Sequence, residues 1–369
     1  MRGRDGAAMW RIVRPGRGHT MNTPVVRAGT ESRPGGTAPM RLAVLGSGMI
    51  VRDFLPHASD VDGLELVAIC GRPGSAQRLE QIRSEFGIDR VHTDLDACLA
   101  DPDIDTVWIA VPNSLHAAYA RRALEAGKHV VCEKPFVLDE QELRDLRAMA
   151  EDRDLILVEA ISTIHLANYR WIQENLHRVG EIRVVQSDYS QFSSRFDRFR
   201  SGEVIPAFDP AQGGGALLDI GIYTIHFVVG LLGRPRSVRY TPNIERGVDT
   251  SGVLVLDYGD RTAVCVCAKD SDGPIRSKIQ GVDGWIAVDG PANAVPQVSS
   301  RRRGEQIQTR DLSVHPHRMV EEFRTFVDMV ARHDTAARDR LLDHSQAVLA
   351  VATAARRSAG LIPTEQDPS

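Results

Sequence analysis

Gly46-Ser47-Gly48 follows a short apolar run, Arg41 to Leu45, and precedes Ile50, Val51, Phe54 and Leu55 at helical spacing. Strand, glycine turn and helix in that order suit the pyrophosphate of a dinucleotide. Gly46 permits a sharp turn, Gly48 lets backbone N–H groups approach the anion, and the helix N-terminus adds a favourable dipole. The third position of the G-x-G-x-x-G pattern is Val51, so the neighbouring elements must carry the assignment. About twenty residues beyond the turn, where an NAD site places a carboxylate on the ribose, the chain has Gly71-Arg72. A guanidinium there clamps a 2'-phosphate that a carboxylate would repel, which favours NADP(H) over NAD(H). A second set lies far along the chain. Asp219, Tyr223 and His226 are spaced by four and three on a predicted helix from Leu217 to Leu232, within about 60° of one another. The rest of that helix is nearly all apolar, so its polar face must meet ligand or hydrogen-bonded partners.

The elements that position these residues can be read from periodicity. Leu64 to Cys70, Thr106 to Val111, His129 to Cys132 and Leu155 to Val158 are strand-sized apolar runs. Between them fall helices at Ala76 to Phe86, at Leu115 to Ala126 closed by Gly127, and one opened by Asp139 with Glu142 in a capping-box relation. Repeated strand and helix alternation implies a parallel, doubly wound sheet. From Glu181 the pattern changes to β-rich runs: Glu181 to Phe192, Val253 to Tyr258, Thr262 to Ala268, Ile275 to Gln280 and Trp285 to Val288. An amphipathic helix begins at Met319, and another runs from about Asp343 to Ser358; both are expected to cap the fold. Arg301-Arg302-Arg303 reads as a solvated turn, and Cys265 and Cys267 as packing residues on one face of a strand.

The order of motifs resembles a known family. Gly46-Ser47-Gly48-Met49-Ile50, Pro112-Asn113-Ser114-Leu115-His116, Ala126-Gly127-Lys128-His129-Val130, Glu133-Lys134-Pro135 and Gly213-Gly214-Gly215-Ala216-Leu217-Leu218-Asp219-Ile220-Gly221 together are similar to the glucose-fructose oxidoreductase, inositol dehydrogenase and rhizopine catabolism (Gfo/Idh/MocA) oxidoreductases. The resemblance spans about residues 40 to 362. It implies an α/β fold, with a Rossmann domain at 40–160 and a substrate-binding and oligomerisation domain at 161–369 built on a large open, mostly antiparallel sheet. It also implies a nicotinamide cofactor between them and a homodimer or homotetramer. Cofactor contacts are expected from Gly46, Ser47, Gly48, Met49, Ile50, Arg72, Pro112, Asn113, His116, Glu133 and Lys134.

In the family the lysine of Glu-Lys-Pro reaches substrate oxygen, so Lys134 is expected to stabilise developing negative charge and to lower the pKa of a nearby phenol. Many members carry Asp-x-x-x-His. Here the fourth residue after Asp219 is Tyr223, similar to the glucose-fructose oxidoreductase and dihydrodiol dehydrogenase branches, and Tyr223 is the expected acid/base. Asp219, His226 and His165 are the expected substrate contacts, with Glu159 also facing the cleft. The implied reaction is hydride transfer at a secondary alcohol or ketone of a sugar, polyol or cyclitol. A trans-dihydrodiol or dicarbonyl substrate and a non-catalytic cofactor-binding sensor are the alternatives.

Bulk properties narrow the class without choosing within it. Across 369 residues the net charge is -4, too small and of the wrong sign to grip nucleic acid or an anionic bilayer. Residues 1 to 40 carry seven Arg against Asp5 and Glu31, a local +5, leaving -9 for the remainder. Without an apolar face that tail reads as disorder or as an upstream gene-model extension, Met40 being one possible start. Five cysteines with no C-x-x-C pair suit neither a disulfide framework nor a zinc ribbon, and no metal is expected. A reducing, cytoplasmic setting is expected, and no apolar run approaches the roughly 18 residues of a spanning helix.

Overall fold

Short runs of Val, Ile, Leu and Ala with both faces covered make a parallel sheet, and the described residues of the first half of the chain supply six. They are β1 (Met40–Leu45), β2 (Leu64–Cys70), β3 (Arg90–His92), β4 (Thr106–Ile109), β5 (His129–Glu133) and β6 (Leu157–Ala160), paired in parallel in the order 3-2-1-4-5-6. This is the doubly wound arrangement expected, and the order reverses between β1 and β4. A crevice opens there, outside the carboxyl ends of the strands. The helix Ala76–Phe86 ends at Gly87 in the left-handed conformation, and Asp139 caps the helix Glu140–Asp152 by accepting from the backbone N–H groups of Gln141 and Glu142. The computed structural model describes residues 38–363; the readings of residues 1–37 lie outside them.

The second sheet has eight strands among the described residues: β7 (Ile182–Ser190), β8 (Ser237–Glu245), β9 (Val248–Asp257), β10 (Thr262–Ala268), β11 (Arg276–Gly281), β12 (Gly284–Asp289), β13 (Val298–Arg302) and β14 (Gln308–Arg310). Their order is 14-13-12-11-7-10-9-8, antiparallel throughout except between β7 and β10. Cys265 and Cys267 both point into the core, as their spacing required. Strand β8 escaped the sequence reading because Pro242 interrupts it, a residue the sheet tolerates at its edge. The arginine triplet is only partly a turn: Arg301 and Arg302 end β13, and the Arg301 guanidinium lies 5.8 Å over the Trp285 ring.

Two further expectations are corrected. The helix read from Leu217 to Leu232 begins as a π turn, Leu217–Gly221, and becomes α-helical only over Ile222–Leu232. The stretch Pro210–Leu232 is also long and apolar enough to cross a membrane by composition, and most of it is buried as core. The C-terminal helices, Arg318–Arg332 and Thr335–Ser358, are not caps but walls of the first core, and the second starts well before Asp343. Phe323 stacks on Phe54 at 4.0 Å and meets Trp108 edge-on at 5.2 Å, all three fully buried.

Candidate active site

Strand β5 delivers Glu133 and Lys134 to the edge of the first sheet, where the following turn is held from three sides. Trp108 Nε1 donates to Glu133 Oε1 at 3.1 Å, the Phe136 amide donates to Glu159 Oε1 at 3.0 Å, and the His116 ring sits 3.0 Å from the carbonyls of both Pro135 and Val111. From that turn the Lys134 side chain reaches toward Asp219. Its Nζ donates to the Asp219 carbonyl at 2.6 Å and lies 3.3 Å from Asp219 Oδ1 and 4.8 Å from the Tyr223 ring centroid.

Asp219 belongs to the π turn, and that turn is fixed by a close approach. Gly215 has φ +122°, and a Cβ there would stand 2.0 Å from Asp249 Oδ1. Asp249 accepts from the Leu217 amide at 2.8 Å and from the Tyr240 hydroxyl at 2.9 Å, so it anchors the start of the helix. The Asp219 carboxylate lies between two ammonium groups, because Lys269 Nζ is 2.6 Å from its Oδ2. Burial opposes its charge, but Lys134 and Lys269 outweigh burial and hold its pKa down at about 2. Burial pulls the Lys269 ammonium the other way and lowers its pKa, against the attraction of Asp219. For Tyr223 burial dominates and raises the phenol to about 12, with Lys134 working against it. The expected lowering by Lys134 is present as a contribution but does not set the net direction. Glu133, raised to about 7 mainly by burial, is the group here closest to titrating at neutral pH.

Glu133, Lys134, Asp219 and Tyr223 line a cleft of about 390 Å³ together with Met49, Ile50, Asp53, Asn113 and Arg318. A neighbouring cavity of about 210 Å³ shares Asn113 and Asp219 and is bounded by Pro112, Arg195 and Gly213. Asn113 spans the two halves, its Nδ2 donating to the Gly213 carbonyl at 3.4 Å rather than capping the helix His116–Glu125. The glycine turn opens onto the same crevice. Gly46 must be glycine, since a Cβ would come within 2.3 Å of the Ala110 carbonyl oxygen, whereas Gly48 has nothing within 4 Å of its Cβ position and leaves an open cradle. That cradle fits a dinucleotide, with Gly46, Ser47 and Gly48 approaching its phosphates and Met49 and Ile50 walling the cleft. Arg72 is exposed just past β2, and Arg78, from the following helix, donates to the Ser47 carbonyl.

Some residues expected in the cleft are elsewhere. His226 is fully buried, 2.9 Å from His344 Nε2 and 3.6 Å from Glu159 Oε1; three residues beyond Tyr223, it turns toward the helix Thr335–Ser358. Glu159 does not face the cleft but accepts from Phe136 and from the Ser345 hydroxyl at 2.7 Å. His165 is buried edge-on against Phe326, and burial takes its pKa down to about 3. His116 braces the Pro135 turn from behind and does not line the cleft. Conversely, Lys269 and Arg318 were missed. Lys269 directly follows the alternating strand β10, whose end reaches the site only because β10 lies beside β7. Arg318 opens the amphipathic helix read from Met319, and it donates to Asp53 Oδ2 at 3.1 Å beside Tyr223.

Residues 40–160 match an oxidoreductase family with an NAD-binding Rossmann fold, and residues 171–287 match the GFO/IDH/MocA C-terminal domain. The chain is similar to scyllo-inositol 2-dehydrogenase (NADP(+)) of Bacillus subtilis, at 31% identity over 89% of this chain and 99% of the relative. It is 28% identical to the trans-1,2-dihydrobenzene-1,2-diol dehydrogenase of Mus musculus over 68% of this chain and 74% of that one. Among solved structures, a 3-ketoreductase from Actinomadura kijaniata in complex with TDP-benzene and NADP superposes with a TM-score of 0.72 at 26% identity, covering 87% of this chain and 98% of the other. Two domain matches in the expected order, on a chain whose lysine, aspartate and tyrosine meet over the glycine turn, identify it as a member of the Gfo/Idh/MocA family of NAD(P)-dependent oxidoreductases, which act on CH–OH groups.

Proposed function

We propose that the protein is an NADP(H)-dependent oxidoreductase that transfers hydride at a secondary alcohol or ketone of a sugar, polyol or cyclitol. The observation that carries this reading is the convergence of Lys134, Asp219 and Tyr223 on one cleft at the carboxyl edge of the first sheet. When bound, the nicotinamide supplies or accepts the hydride. Tyr223 Oη holds the proton that the substrate oxygen gains on reduction or loses on oxidation. The Lys134 ammonium stabilises the negative charge that develops on that oxygen. Asp219 binds both lysines, so it orients Lys134 and offers its remaining acceptor capacity to a substrate hydroxyl. A polyhydroxylated substrate suits a cleft lined by the Asp53, Glu133 and Asp219 carboxyl groups, the Lys134 ammonium and Asn113. Arg72, exposed at the end of β2, supports the choice of NADP(H), as does the cofactor named for the inositol and 3-ketoreductase relatives.

A dihydrodiol or dicarbonyl substrate is the second reading. It is favoured by the aromatic wall behind the acid/base, where the Tyr189 ring lies 6.0 Å from that of Tyr223. One experiment separates these readings: absorbance of NADPH and NADH followed against inososes, ketoses, deoxy-keto sugars and vicinal dicarbonyls, with Lys134→Ala and Tyr223→Phe alongside. Turnover of a cyclitol or sugar ketone, lost in both variants while cofactor binding survives, is expected. Arg72→Ala should weaken NADPH about 10- to 100-fold and NADH far less. Cofactor binding without turnover of any substrate would instead make the protein a sensor.

A further inference from the structure

A second cluster of chemically competent side chains lies where the start of the chain's last third of helices meets the first sheet. His57 and Asp60 sit on the 3₁₀ helix Leu55–Asp60, whose i and i+3 side chains eclipse, so both project from one edge. His315 comes from the far end of the sequence, in the His315-Pro316-His317 segment that leads into the helix Arg318–Arg332. One donor atom from each of the three lies within 4.8 Å of the others.

The distances argue against a simple hydrogen-bonded cluster. Both imidazoles face the same carboxylate oxygen: Asp60 Oδ2 is 3.7 Å from His57 Nδ1 and 3.3 Å from His315 Nε2, each longer than an ordinary hydrogen bond. They are close to the edges of a coordination tetrahedron, which come to about 3.3–3.5 Å for zinc with bonds of about 2.0–2.2 Å to imidazole and carboxylate. The rings are also held from outside. His317 stacks on His57 at 4.4 Å and 17°, and His315 meets His57 edge-on at 5.6 Å. His315 Nδ1 accepts from the His317 amide at 3.0 Å and lies 3.4 Å from the His317 carbonyl, so a metal on Nε2 requires the ring to turn its Nδ1–H from the amide to that carbonyl.

We propose that His57, Asp60 and His315 form a binding site for a divalent transition-metal ion of the zinc class, separate from the catalytic residues. Two neutral imidazoles and one carboxylate suit zinc and its neighbours rather than magnesium or calcium, and partial exposure leaves the fourth position to water. The ion would act as a clasp. It joins the first sheet's 3₁₀ helix to the segment just before Arg318, which itself pairs with Asp53 on the cleft wall.

The test is titration of zinc(II), and of cobalt(II) as a visible probe, into the metal-stripped full chain by calorimetry and absorption. One equivalent should bind, raise the midpoint of thermal unfolding and give the bands of a nitrogen- and oxygen-ligated cobalt ion. His57→Ala, His315→Ala and the near-isosteric Asp60→Asn should each weaken binding at least tenfold, and His177→Ala, at an exposed histidine elsewhere, should leave it unchanged. Circular dichroism checks that each variant folds, and Asp60→Asn keeps the test decisive if a histidine variant does not. Failure of the wild type to bind one equivalent, or binding that persists in Asp60→Asn and in the double variant lacking His57 and His315, overturns the proposal.

Discussion

A phenol raised to about 12 stays protonated across the neutral range, so Tyr223 is a proton donor there and only rarely a base. The two directions of the proposed reaction should therefore respond differently to pH. Ketone reduction needs the phenol and should be flat on the Tyr223 limb from acid to mildly alkaline conditions. Alcohol oxidation needs the phenolate and should climb steadily with pH, without a plateau below about pH 10. Lys134 lowers the phenol against the larger effect of burial, so Lys134→Met should push it higher still. Oxidation would then be slower at every pH and would rise later. Steady-state rates in both directions between pH 6 and 10 check this, and an oxidation plateau near neutrality would assign the proton to another group, with Glu133 the first candidate because its pKa is raised to about 7.

At the scale of elements, the device that brings Asp219 and Tyr223 to Lys134 is the π turn anchored by Asp249. Any side chain at Gly215 must displace that carboxylate and also adopt a φ of +122° that L residues avoid. Gly215→Ala is expected to cost about 2–4 kcal/mol of stability and to lower kcat more than cofactor affinity, since the glycine turn of the first sheet is untouched. Chemical denaturation with cofactor titration separates the two effects. The same turn marks the limit of what could be read from the chain. The glycine turn, Glu133-Lys134-Pro135 and the Asp219 to Tyr223 spacing are local patterns, and all reach the cleft. A π turn carries no compositional mark, but it ends at Gly221, and Tyr223 and His226 both lie on the α-helical part, where the roughly 60° between residues three apart is enough to turn His226 from the cleft to Glu159 and His344. Lys269 and Arg318 lie at ends of elements, and only the pairing of β10 with β7 and the return of the last helices bring them to the site. His116, His165 and Glu159 were drawn to the cleft by proximity in sequence to strand ends, but their side chains turn inward.

At the scale of the molecule, the question is whether the nucleotide-binding sheet can stand without the rest of the chain. Its first core contains Met40, Val44, Phe54 and Trp108, and these are closed off by Met319, Val320, Phe323 and Phe326 from the helix Arg318–Arg332. Its opposite core likewise includes Leu342 and Leu349 of the helix Thr335–Ser358. A fragment ending near residue 160 would expose the faces of Phe54 and Trp108 to water, and burying a ring of that size is worth about 1.5–3 kcal/mol, a large share of a domain's net stability. Residues 40–160 alone should therefore have near-native helix content, bind a hydrophobic dye and hold NADP(H) weakly. In the whole chain Phe323→Ala should cost about 3–5 kcal/mol and lower the stability of both sheets together, because the polypeptide that covers the first must leave and return through the second. Urea unfolding followed by tryptophan fluorescence and by far-UV circular dichroism should give one coincident transition in the wild type and in Phe323→Ala. Two separated transitions, the later one retaining cofactor binding, would mean that the sheet folds independently and that the C-terminal helices only cover it.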